Sequence, residues 1–187
     1  MGQDIGVSYN GGDLPAYFAA PSSGNGIGVV IVTAIFGVDD DTKKICDDLA
    51  AAGYPAIAPN MFWQDDDSGV IAVSPEGSER GKERAGRVAR DDGNAFIGAC
   101  IDELKAHENC NGKVAVLGFC FGGPYVVQAA ARFDVAGGIS FHGSFVEKFL
   151  GELVDVSCPL AFHYGDNDEV APMAAIDQIQ AACEKRE

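Results

Sequence analysis

The chain has 187 residues, 47% of them hydrophobic, which is enough for one domain with a two-sided core and too little to argue for two. Acidic residues outnumber basic ones 28 to 13, for a net charge of -15, and a surface of that sign repels nucleic acid and anionic membranes. The cysteines Cys46, Cys100, Cys110, Cys120, Cys158 and Cys183 form no CxxC pair and no metal-ligand spacing, so they read as reduced thiols with neither a disulfide framework nor a zinc site.

The first residues, Met-Gly-Gln-Asp-Ile-Gly-Val-Ser-Tyr, lack both a basic segment and an apolar core of the kind that directs export, and no run of 18 apolar residues follows anywhere. A cytoplasmic location is expected. Val7 and Tyr9, then Ala16, Phe18 and Ala20, flank Asn10-Gly11-Gly12 and predict an antiparallel hairpin at one sheet edge. Continuous apolar runs at 27–33, 55–58, 113–117 and 159–164, with a glycine-broken one at 135–141, predict parallel strands covered on both faces.

Helical spacing lies between those runs. Ile45, Leu49 and Ala52 precede a closing Gly53, Phe96, Cys100 and Leu104 share a face, and Met173, Ile176 and Cys183 mark a last helix with Pro172 at its first position. Strand and helix in alternation mean an α/β fold with a mostly parallel sheet and helices on both faces. Residues 60–79 show no clear period and are expected to pass over the top of the sheet as a cap or lid.

Gly118-Phe119-Cys120-Phe121-Gly122-Gly123 follows the run at 113–117 directly, placing a thiol where a nucleophile elbow places its serine. A sharp strand-to-helix corner holds its central residue in a sparsely populated backbone region and needs small neighbours, which these glycines supply. The following helix points its N-terminus at the thiol, favouring a thiolate and a developing oxyanion. Cys120 is the candidate nucleophile, set against the alternative of a small buried cysteine at a tight strand end.

Such an elbow calls for an acid at the carboxyl end of a later strand. In Phe162-His163-Tyr164-Gly165-Asp166-Asn167-Asp168, the expected acid is Asp168, with a helix-capping aspartate as the plain alternative. The loop after the first parallel strand, Thr33-Ala34-Ile35-Phe36-Gly37, contributes one backbone N–H to the oxyanion, and the residue after the nucleophile contributes the other. Those donors are Ile35 and Phe121.

Ile35-Phe36-Gly37-Val38, the cysteine elbow, and Gly165-Asp166-Asn167-Asp168 followed by Pro172 together resemble the dienelactone hydrolase family of α/β-hydrolases, in order and in separation. The resemblance runs through the whole chain as a single domain, residues 1–187. It implies hydrolysis of a small lactone or carboxylic ester through an acyl-cysteine, without a cofactor; the charge points to no nucleic-acid or membrane partner, and of the open oligomeric states a monomer is favoured. The family also places a triad histidine about thirty residues beyond the acid, on a loop before the last helix. No histidine follows Asp168 here: His107, His142 and His163 all precede it. The expectation is therefore a domain missing its C-terminal strand and helix, weak or inactive as it stands.

Where relatives carry a glutamate that pairs with the resting thiol, this chain has Ala34. Lys82 and Arg84 fall where such enzymes contact a substrate carboxylate, although a solvated helix face reads equally well. A second class of function stays open, a non-catalytic scaffold of this fold that binds a ligand or partner. Dinucleotide binding at Gly24-Asn25-Gly26-Ile27-Gly28 is excluded because the glycines precede a strand, and calcium binding at Asp65-Asp66-Asp67-Ser68-Gly69 because the loop's fifth position carries no oxygen ligand of the required kind.

Overall fold

The computed structural model describes residues 1–185. Its first two strands, β1 (Gln3–Tyr9) and β2 (Gly12–Ala19), pair antiparallel with Val7 opposite Leu14. Asn10 and Gly11 join them at φ 47° and 78°, the two left-handed residues that a tight hairpin of right-handed twist requires.

β3 (Gly26–Val32) shows why its run is apolar throughout. Val30 and Val32 enter the cluster under α3 (Arg90–Ala106), whereas Val29 and Ile31 enter the opposite cluster under α1 (Asp40–Ala51). Both faces are thus shielded from water, and no position has room for a polar side chain. β4 (Ala56–Pro59), β5 (Cys110–Phe119), β6 (Gly137–Phe141) and β7 (Leu160–His163) complete a seven-stranded sheet in the order β1-β2-β4-β3-β5-β6-β7. From β4 to β7 every pairing is parallel. The carboxyl ends of β3, β5, β6 and β7 consequently open along one edge.

α4 (Gly123–Arg132) packs against β5 and β6, and α5 (Met173–Glu184) follows β7. Pro172 stands one place earlier than expected, as the residue before the helix with extended ψ, so α5 opens at Met173. A larger departure lies in residues 60–79. Their last part belongs to α2 (Pro75–Arg87), whose start is set by the Ser74 hydroxyl accepting from Gly77 N–H and by Pro75 in the first turn. The remainder is pinned down: Asn60 accepts from Phe62 N–H and donates to Ser68 O, and Arg87 and Arg80 pair with Asp65 and Asp67. Among the described residues no helix is long and apolar enough to cross a membrane.

Candidate active site

The corner after β5 is built by close approach. A side chain on Gly118 would strike the Gly122 carbonyl, one on Gly122 the Val32 carbonyl of β3, and one on Gly123 the Gly143 backbone beyond β6. Only glycine lets these three segments meet, and the meeting forces Cys120 to φ 51°, a left-handed conformation unusual for a side chain with a Cβ. A single 3-10 turn, residues 120–122, leads from the thiol into α4, with the Gly123 N–H donating back to Cys120 O and Pro124 in the helix's first turn.

The thiol opens into a cavity of about 330 Å³. Ile35 and Phe121, the residues expected to donate to an oxyanion, line that same cavity, together with Ser144, Phe145 and two cations, Lys82 and Arg90. Ile35 is held from behind by Arg84. This guanidinium is 0% exposed and donates through Nε and Nη2 to Ile35 O at 3.2 and 2.8 Å, and through Nη1 to Asp67 O and Gly69 O at 2.6 Å each, with the Phe62 ring 4.0 Å away. Burial pulls its pKa down while Asp67 and Asp65 oppose that shift, and an arginine so placed keeps its charge.

Arg84 thus departs from the sequence expectation: it clamps backbone and does not face substrate. The reason is helix phase. Gly77, Gly81 and Arg84 form the buried stripe of α2: Gly77 lies against Ile71 and Ala72, Gly81 against Ile35, and Arg84 reaches beneath the Ile35 loop. Lys82, on the other side of the helix, does reach the cavity, and Arg90 at the start of α3 is the cation that sequence reasoning missed. Its guanidinium lies 4.5 Å from the Tyr125 ring centre and 5.0 Å from that of Phe149.

Asp168 lies beyond β7, outside the cavity wall but beside it, since Val170 lines the cavity. Its Oδ1 accepts from Val170 N–H at 2.8 Å and Ala171 N–H at 3.1 Å, and its Oδ2 stands 3.8 Å from His142 Nδ1. His142 is the first residue after β6, at φ 39°, with its N–H donating to His163 O. The other imidazoles are engaged elsewhere: His107 packs on Phe18 and accepts from Asn109 N–H, and His163 stacks on Phe141 with ring centres 4.7 Å apart.

Ser144 was not singled out by the sequence. It is 6% exposed, its Oγ lies 3.1 Å from Cys120 Sγ, and its N–H donates to Cys120 O at 2.9 Å. Tyr164, whose hydroxyl burial pushes up to about 12, stays neutral and donates to Gly143 O in the same turn. Among the described residues no cluster of three metal-ligating side chains occurs.

The profile of the dienelactone hydrolase family matches residues 14–187. A carboxymethylenebutenolidase from Pseudomonas sp. (strain P51) is 30% identical over 178 residues, covering 93% of this chain and 74% of that protein. Carboxymethylenebutenolidase 1 of Cupriavidus pinatubonensis is 29% identical, covering 87% of this chain and 70% of its own. In structure, a dienelactone hydrolase candidate from Klebsiella pneumoniae superposes with a TM-score of 0.86 over 99% of this chain and 80% of that one, at 23% identity, a likeness of fold.

Proposed function

The chain belongs to the dienelactone hydrolase family, a family of α/β-hydrolases, and from that membership we propose that it cleaves a lactone or carboxylic ester through an acyl-cysteine intermediate. Cys120 Sγ, having released its proton to water, attacks the ester carbonyl carbon, the carbonyl electron pair moves onto oxygen, and the N–H groups of Ile35 and Phe121 receive that charge. Collapse of the tetrahedral intermediate expels the alkoxide, which takes a proton, and water then releases the acid from the thioester. The observation that carries this reading is the strained thiol at the mouth of a cavity shared with both backbone donors.

Lys82 and Arg90 on the cavity wall, with apolar Ile35, Phe121 and Phe145 around them, suit an ester that bears a carboxylate. Asp168 takes the role of the acid that orients an imidazole and steadies its charged form. In the described residues the sulfur's hydrogen-bond partner is the Ser144 hydroxyl and not an imidazole, so the chain by itself turns substrate over slowly. On this reading residues 1–187 act as one domain, in the cytoplasm and without a cofactor. A ligand-binding scaffold is the second reading, favoured by the same lack of an imidazole at the thiol.

Hydrolysis of dienelactone and of a simple aryl ester tests the proposal. Cys120→Ala is expected to lower whatever rate the chain shows by at least about 100-fold. An unchanged rate in that variant overturns the cysteine mechanism. Saturable binding of dienelactone without turnover selects the scaffold.

A further inference from the structure

We propose that Ser144 is a catalytic residue, whose hydroxyl holds the Cys120 sulfur in place and donates to it once its proton has left. This rests on Cys120 being the nucleophile. The Oγ to Sγ distance of 3.1 Å is a hydrogen bond in which either atom can donate while the thiol is protonated. When the sulfur is anionic it has no hydrogen left to give, so the hydroxyl becomes the donor, and a bond to a charged acceptor is the stronger kind. No covalent bond to Ser144 forms or breaks.

The turn that delivers this hydroxyl is strained on both sides of it. His142 and Phe145 are both non-glycine residues with left-handed φ, 39° and 62°, conformations that persist only where the surroundings impose them. Here the surroundings do. A Cβ on Gly143 would come within 2.5 Å of Ser140 Oγ, 2.7 Å of Val146 Cγ2 and 3.0 Å of Gly123 Cα, so the turn lies directly on the start of α4. His142 N–H is tied to β7 through His163 O, Gly143 O to the Tyr164 hydroxyl, and Ser144 N–H to Cys120 O. These links converge on one result, the hydroxyl of a buried serine set against the nucleophile.

The electrostatics of the cavity explain why a neutral group suits this place. Ala34, at the end of the loop leading to Ile35, brings no carboxylate to the sulfur. The Ser144 hydroxyl supplies a donor with no net charge, in the same cavity as the Lys82 and Arg90 cations. It also needs no rearrangement when substrate arrives, because its partner is the reacting atom in the resting site.

Alkylation by iodoacetamide, followed at the Cys120 peptide by mass spectrometry at neutral pH, reads the thiol itself whether or not any ester is turned over. Ser144→Ala is expected to slow alkylation of Cys120 about tenfold, and Ser144→Thr, which keeps the hydroxyl, to restore it to within about threefold of the parent rate. The melting temperatures of the parent and both variants, taken alongside, show that folded protein is being compared. Alkylation of Ser144→Ala at the parent rate overturns the proposal, as does equal slowing by alanine and threonine. Failure of the nucleophile reading is seen separately, as ester turnover that survives Cys120→Ala.

Discussion

The turns that carry Cys120 and Asp168 both lie at the carboxyl end of a parallel strand, yet they are fixed by opposite means. Cys120 is placed by tertiary packing: Gly118, Gly122 and Gly123 let β3, β5 and the turn after β6 touch, and Phe121, Tyr125 and Val126 are buried behind it. Asp168 is placed by its own turn, accepting from Val170 and Ala171 N–H, in a loop where an added Cβ on Gly165 would meet nothing within 4 Å. The geometry at Cys120 therefore depends on the whole sheet, and that at Asp168 chiefly on its own short turn. Strain is stored at the first site and absent from the second, whose residues 164–172 include no positive φ.

That contrast can be broken most forcefully at the glycines. Gly122→Ala sets a methyl against the Val32 carbonyl, and a loss of about 3 kcal/mol is expected in denaturant unfolding. Gly165→Ala, at the other turn, should stay within about 0.5 kcal/mol of the parent. Similar losses from both would show that the two turns are held alike.

Arg84→Met probes the support behind the elbow cavity. It leaves Ile35 O, Asp67 O and Gly69 O without their donor, and a destabilisation of about 2 kcal/mol is expected from the same unfolding measurement. Asp168→Ala removes an acceptor from two N–H groups in a local turn, for about 1 kcal/mol. The proposed acid role predicts a fall in ester hydrolysis larger than that small loss, whereas an aspartate that only holds its own turn ahead of Pro172 would change stability alone.

The smallest effect concerns pH. Arg87 beside Asp65, helped by Asp67 N–H, holds the Asp65 carboxyl down at about 2. The folded value lies below the unfolded value of about 3.9, so this group's contribution is complete above about pH 4 and is lost as pH falls towards 2. Asp65→Asn should lower stability near neutrality, where the pair contributes in full, and flatten the stability curve in that acid window. A curve of undiminished slope between pH 4 and 2 would show that the pair does not hold the loop.

The corner at Cys120, the turn at Asp168 and the Ile35 loop were legible in the sequence because each is a local pattern of glycine, strand and turn. The hairpin was legible for the same reason, in Asn10-Gly11. Ser144 and Arg90 were not, since nothing local distinguishes a serine after Gly143 or an arginine opening α3 from a solvated one. Only the convergence of β5, β6 and α3 makes them neighbours of the thiol. Arg84 misled for a physical reason, because a helix as polar as α2 has no apolar stripe to set its phase. Gly77 and Gly81, one turn apart, were the available signal that this face approaches backbone. Ser74-Pro75-Glu76 likewise marked the start of α2 inside a segment otherwise without period.

The most direct test of the account is the mass of the chain after brief reaction with an activated aryl ester, mapped by peptide. The account predicts one acyl group, on Cys120, absent in Cys120→Ala. An acyl group on another residue, or the same adduct in Cys120→Ala, would contradict it.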